Sequence, residues 1–169
     1  VGKMPEPEAL LEYILQELAY EKDLAGKRVL VTAGPTREAL DPVRYITNHS
    51  TGKMGYAIAR AAARRGAAVT LISGPVELPT PLGVERVDVS SAKEMFDAVT
   101  SRAAGQDAIV KAAAVADYRP VHVGAEKMKK TDETLSIELE RTDDILSWLG
   151  AHRRAGKFPC GISMDRPLT

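Results

Sequence analysis

The chain has 169 residues, 44% of them apolar and 27% charged, enough for one domain with a buried core and too few for two. Its 23 Lys and Arg balance 23 Asp and Glu, which argues against a general nucleic-acid or membrane-surface binder, because those partners select a basic face. The single cysteine, Cys160, excludes an internal disulfide, and no stretch resembles a signal peptide or a membrane span, so a reducing, cytoplasmic setting is expected. The chain opens on Val1 and closes on Thr169 just after a strand begins, so an excised domain, truncated at its C-terminal end, is the expectation.

Taken in order, Pro5 and Pro7 open a helix whose Leu10, Leu11, Ile14, Leu15 and Leu18 form an apolar stripe, read as a packing or dimer surface. A charged linker from Tyr20 to Lys27 follows. Val29 to Ala33 reads as a first strand, with a polar insertion from Gly34 to Thr47 behind it. Lys53 to Arg65 reads as an alanine-rich helix stopped by Gly66. Ala68–Ser73 is the next strand and Val84–Val89 the one after. Ser91 and Glu94 form a capping box for a helix over Ala92–Arg102. Ala108–Ala114 is an apolar run carrying one lysine, as a buried parallel strand would. Beyond it come a charged loop at Glu126–Asp132, an alternating strand at Thr134–Glu140, a short helix at Asp143–Gly150 and a strand at Phe158–Ser163. Continuous apolar runs separated by helices predict an α/β fold: a Rossmann-like, doubly wound, mainly parallel sheet.

The chemistry concentrates at Asn48-His49-Ser50-Thr51-Gly52-Lys53-Met54-Gly55, immediately before a helix. Backbone N–H groups and the helix dipole make such a place receptive to anions. A Walker loop fails, because Met54 follows Lys53 and position 47 is Thr. A dinucleotide fingerprint fails too, because Gly34 stands alone and Gly52 and Gly55 arrive only after the insertion. A nicotinamide-dependent oxidoreductase therefore stays as an alternative without its fingerprint.

Thr36, Arg37, Asp41, Arg44, Asn48, His49 and Ser50 collect polar groups above the strand ends, where open α/β sheets hold ligands. Each also has a structural reading: Asp41-Pro42 starts turns, and Arg44 can simply pair with Asp41. A second cluster, Ala112 to Asp117, offers small residues that admit a ligand to the backbone and a carboxylate for a base, a ribose or a metal. Turn capping is its structural alternative. Lys127, Lys129 and Lys130 suit a polyphosphate, although such runs are commonly solvated loops. His49, His122, His152 and Cys160 lack zinc spacing, and no metal ligands are assigned.

The blocks Ala33–Glu38, Leu40–Ile46, Asn48–Gly55, Ala112–Arg119 and Glu126–Lys130 resemble phosphopantothenoylcysteine synthetase, the ligase half of the bacterial bifunctional coenzyme A biosynthesis protein. The likeness runs in order from about Gly26 to Leu146. It implies residues 26–169 as an incomplete ligase domain and residues 1–25 as a linker helix from the end of the decarboxylase half. The implied reaction joins 4′-phosphopantothenate to cysteine at the expense of CTP through an acyl-cytidylate, with magnesium as the companion ion and no flavin in this chain. The resemblance implies catalytic roles for Asn48 and Lys127. It implies substrate contacts from Asp41, Arg44, Asn48, Gly52 and Gly55, and nucleotide contacts from Ala112, Ala113, Asp117, Lys127, Asp144, Ile145, Leu146 and Ile162. It also implies a homodimer, a fused or associated decarboxylase domain, and no nucleic-acid or membrane partner. Two departures stand out: Asp143 occupies a position where the family has proline, and the lysine-bearing segment past Thr169 is missing. A truncated remnant that keeps the fold without catalysis is the further alternative.

Overall fold

The computed structural model describes residues 4–128, 134–152 and 158–161, the last of these as backbone. Thirteen elements follow one another: α1 (Pro7–Leu18), β1 (Arg28–Ala33), β2 (Arg37–Ala39), β3 (Tyr45–Thr47), α2 (Lys53–Arg64), β4 (Ala68–Ser73), β5 (Val84–Asp88), α3 (Ala92–Ala103), β6 (Ala108–Lys111), β7 (Tyr118–Pro120), β8 (Leu139–Arg141), α4 (Ile145–Ala151) and β9 (Phe158–Gly161). Five of the strands form a parallel sheet in the order β5-β4-β1-β6-β9. The expected α/β, Rossmann-like architecture is the observed one.

Apolar runs become central strands here because both faces of the sheet are covered. Alternate β1 residues divide between two cores. Val29, Val31 and Ala33 pack with Tyr56, Ala59 and Ala63 of α2, whereas Leu30 packs with Met95 and Val99 of α3 and with Ile145 and Leu149 of α4. Gly55 lets α2 approach this closely. A Cβ there would lie 2.5 Å from Ala33 Cβ and 2.9 Å from the Thr32 carbonyl oxygen.

The capping box at α3 forms with one change. Ser91 Oγ accepts from Glu94 N–H at 3.2 Å, but the Glu94 carboxylate accepts from Ser90 N–H, at 2.7 Å. Glu38, buried to 3% exposure, reaches from β2 to accept Ala92 N–H at 2.9 Å. This places a carboxylate on the helix N-terminus, where the dipole favours it.

Several expected boundaries move. The strand expected through Ala114 ends at Lys111, because the next residues turn toward the end of β1. Ala112 N–H donates to the Thr32 carbonyl at 3.2 Å, Ala113 N–H to Thr32 Oγ1 at 3.2 Å, and Ala114 N–H to the Gly34 carbonyl at 2.9 Å. The insertion after β1 contains an unanticipated antiparallel hairpin, β2–β3. The strand expected over Thr134–Glu140 is reduced to Leu139–Arg141, paired antiparallel with β7, which the sequence reading missed. Helix α4 starts at Ile145 because Asp144 is its N-cap. The stripe on α1 remains open: Leu11, Ile14 and Leu18 are exposed, and no residue of that helix is buried.

Candidate functional site

The chain leaves β1 for β4 on one side and returns through β6 on the other. The crevice between the carboxyl ends of β1 and β6 is thus the topological switch point, where this architecture binds ligands. A cleft of about 880 Å³ opens there. Residues 48–54 form one wall and residues 111–115 the other, with Asp117 and Leu146 completing it.

Gly52 sits at the N-cap of α2 with φ +72°, and no side chain caps the helix. Tyr56 N–H is the donor that reaches back to the Gly52 carbonyl, at 3.1 Å. The N–H groups of Lys53, Met54 and Gly55 therefore have no acceptor inside the helix and carry its positive pole. Ser50 Oγ accepts from Gly52 N–H at 3.3 Å and holds the turn that aims them. A side chain at Gly52 would be strained and would meet Val76 Cγ1 at 3.1 Å.

Hydroxyls fix the opposite wall. Thr36, with no exposed surface, accepts Ala116 N–H on Oγ1 at 3.0 Å, and Thr142 Oγ1 donates to the Ala116 carbonyl at 2.6 Å. Thr142 N–H donates to the Asp117 carbonyl at 3.0 Å, so the backbone of Asp117 is set before any ligand arrives. Asn48 bridges the walls: its Nδ2 donates to the Val115 carbonyl at 3.1 Å. The sequence reading named Thr36 only as one of several polar residues and gave Thr32 and Thr142 no role. A threonine that caps a distant loop leaves no periodic signal.

Asp41 and Arg44 stand apart from the cleft lining. Asp41 is 3% exposed and accepts from Val43 N–H at 2.8 Å, Arg44 N–H at 2.7 Å, Arg44 Nε at 2.9 Å and Met128 N–H at 3.1 Å. Arg44 also donates to the Met128 carbonyl at 2.7 Å. Burial alone raises the Asp41 pKa, but donation from Met128, Val43 and Arg44 outweighs it and holds the carboxyl well below the usual carboxylate range. Neither residue of this pair, expected as a direct substrate contact, is among the residues that line the cleft. Every near donor to the carboxylate is internal, and the pair anchors the loop that carries Lys127. Lys127 itself is exposed and outside the lining residues.

Three more expected contacts change for the same kind of reason. Asp144 caps α4, accepting from Leu146 N–H at 2.8 Å and Ser147 N–H at 3.1 Å, and Ile145 is a core residue with 1% exposure. Only Leu146 of that trio lines the cleft. Gly55 faces β1, so its part in the site is its N–H and its close packing, not a side-chain position. Ile162 lies outside the described residues, as do Lys129 and Lys130. Ala112, Ala113, Asn48, Gly52 and Asp117 all line the cleft as expected, joined by Lys53 and by Lys111, which the sequence reading gave no role. Among the described residues no cluster of three or more His, Cys, Asp or Glu could hold a metal ion, and no helix is long and apolar enough to cross a membrane.

With this geometry in view, comparison with known proteins is informative. The family model described as DNA/pantothenate metabolism flavoprotein C-terminal domain matches residues 24–167. The coenzyme A biosynthesis bifunctional protein CoaBC of Vibrio parahaemolyticus is 49% identical over 166 residues, covering 97% of this chain and 41% of that protein. Its Bacillus subtilis counterpart is 50% identical over 156 residues, covering 90% and 38%. The chain thus spans about two fifths of the length of these fused, bifunctional relatives. A crystal structure of the C-terminal domain of CoaBC superimposes with a TM-score of 0.69 at 50% identity, covering 80% of this chain and 63% of that one.

These matches correct the narrower expectations. The family description and the relatives' names contain neither a ligase nor CTP. The assignment to the synthetase half, the acid–amino-acid ligase activity, and CTP with magnesium as its co-substrate system give way to a coarser statement, that of a pantothenate-metabolism domain. The exclusion of flavin is likewise set aside, since the matching family is named for a flavoprotein.

Proposed function

Because the chain belongs to the DNA/pantothenate metabolism flavoprotein C-terminal domain family, we propose that its cleft binds a phosphorylated pantothenate derivative beside a phosphate-bearing mononucleotide, as one step of coenzyme A biosynthesis. One observation carries this reading: the uncapped N-terminus of α2 opens into a polar cleft at the switch point of the sheet. The N–H groups of residues 53–55 take the phosphate, with Lys53 beside them. Ala112 and Ala113 admit the nucleotide to the backbone, and Asp117 accepts from its sugar or base. Asn48 contacts the reacting carbonyl of the substrate, moving its amide from Val115. Asp41 and Arg44 position the loop that brings Lys127 over the nucleotide. Among the described residues no Phe, Tyr or Trp lines the cleft.

Residues 1–25 are read as the linker to a second, fused domain. The exposed Leu11, Ile14 and Leu18 support a contact there with the rest of a larger protein or with a second copy. A homodimer in the cytoplasm completes the reading.

Isothermal titration with 4′-phosphopantothenate and with unphosphorylated pantothenate tests the proposal. The expected result is saturable binding with a preference of about tenfold or more for the phosphorylated compound. Equal affinities, or no saturable binding of either, would overturn it. Titrations with FMN, CMP and AMP in the presence of 4′-phosphopantothenate identify the nucleotide. FMN binding assigns a flavin role, CMP or AMP binding assigns a base-selective nucleotide site, and binding of none removes the nucleotide half of the proposal.

A further inference from the structure

Lys111 is the last residue of β6, in register with Thr32 of β1 on one side and Gly161 of β9 on the other. It therefore stands mid-sheet at the floor of the cleft, and it is among the lining residues. The rest of its strand is apolar: Ala108, Ile109 and Val110 belong to the two hydrophobic cores. Lys111 is half-buried, and its side chain makes no hydrogen bond or ion pair with any described residue.

Among the described residues, the two fully buried charges are compensated. The buried Glu38 carboxylate rests on the N-terminus of α3, and the buried Asp41 accepts from four backbone and side-chain donors. Satisfying interior charge is the general rule, because a partly desolvated ion without a partner is costly. Lys111 has no such partner among the described residues, and it stands where the sheet opens to a ligand.

We infer that Lys111 is a ligand-binding residue that forms an ion pair with an oxyanion of the substrate at the floor of the cleft. This rests on the reading of the cleft as a site for a phosphorylated pantothenate derivative. It adds a second point of positive charge, distinct from the α2 N-terminus in the wall. A substrate bearing a phosphate at one end and a carboxylate at the other meets both, and one with a single acidic group engages only one.

The test titrates the wild-type chain, Lys111→Met and Lys111→Arg with two probes, 4′-phosphopantothenate and 4′-phosphopantetheine, which keeps the phosphate but lacks the carboxylate. The expected result is a loss of about tenfold in 4′-phosphopantothenate affinity for Lys111→Met, with most of it restored in Lys111→Arg. If 4′-phosphopantetheine is unaffected, Lys111 meets the carboxylate; if both probes weaken alike, it meets the phosphate. Unchanged affinity for both probes in Lys111→Met would overturn the inference alone. Failure of the wild-type chain to bind either probe would overturn the underlying reading and this inference with it. A second measurement needs no variant: amine-reactive labelling of the wild-type chain, read by peptide mass spectrometry. Saturating 4′-phosphopantothenate should protect Lys111 but leave the exposed Lys27 as reactive as before. Equal labelling of Lys111 with and without the compound would count against the ion pair.

Discussion

At the scale of single residues, two glycines do different work at the start of α2. Gly55→Ala drives a methyl group into Ala33 and the Thr32 carbonyl, both parts of a central strand that cannot yield. Overpacking of that kind costs about 1–3 kcal/mol, so Gly55→Ala should shift the denaturant midpoint clearly at constant slope. At Gly52 the obstacle is its φ of +72° and the Val76 methyl, a side-chain atom that can move. Gly52→Ala should cost about 1 kcal/mol and weaken ligand binding more than it weakens the fold. A Gly55→Ala chain as stable as the wild type would mean that α2 is free to lift from the sheet.

Asp41 governs the acid limit of the loop that carries Lys127. Its carboxyl is depressed in the folded chain, so its contribution to stability is fully present above the unfolded value of about 3.9 and is lost as pH falls through the folded value. Stability from this group should be flat from pH 7 to about pH 5 and decline below about pH 4. Asp41→Asn should remove that part of the acid dependence and loosen the loop at neutral pH. Amide exchange at Met128, compared across pH in both chains, reads it directly. Protection at Met128 that is identical in the two would refute the anchor.

The elements join through one buried carboxylate as much as through the core. Glu38 ties the β2–β3 hairpin to α3, whose own cap comes from Ser91. Glu38→Ala leaves Ala92 N–H without its acceptor, which should cost about 1–3 kcal/mol. Glu38→Gln keeps an acceptor and loses only the charge at the helix end, about 0.3–1 kcal/mol. Unfolding curves that rank the two in the opposite order would remove the hairpin from the account of α3 stability.

The elements also show what a sequence makes visible. The parallel sheet was legible because Val29–Ala33, Ala68–Ser73 and Ala108–Val110 are largely apolar runs, and between them α3 carries its own cap and α2 a stopping glycine. The β2–β3 and β7–β8 hairpins were not, since each strand is three residues long and too short for a period of two to stand out. The cleft was half legible. Asn48, Gly52, Ala112, Ala113 and Asp117 lie where the motif blocks put them, because loop residues at strand ends have few other places to go. Asp41 and Arg44 belong to the same blocks but bond within the chain outside the cleft lining, a distinction set by hydrogen-bond partners 2 to 87 positions away. Lys111 stood out only as the one lysine of an apolar run, because its place at the cleft depends on neighbours that sequence does not show.

For the molecule as a whole, the sheet and its two helical layers form the stable body, and α1 is an attachment. Among the described residues its polar links to that body include an Arg64–Glu12 pair at 3.6 Å and a Lys22 side chain bound to the Gln16 and Arg64 carbonyls, and α1 has no buried residue of its own. A chain beginning at Glu21 should therefore fold, with a stability loss of about 1 kcal/mol or less from the lost surface pair and its packing. A truncation that abolishes the cooperative transition would make α1 part of the core after all.

The central claim is that the N-terminus of α2, facing the wall formed after β6, is where a phosphorylated ligand binds. Nitrogen-15 chemical-shift mapping with 4′-phosphopantothenate addresses it most directly, because it reports at individual backbone amides. The account predicts the largest, saturable shifts at Lys53, Met54 and Gly55 and at Ala112 to Ala114, with little change at the amino-terminal ends of the strands near Arg28 and Ala68. Shifts centred elsewhere, or a titration that leaves the α2 amides unmoved, would contradict it.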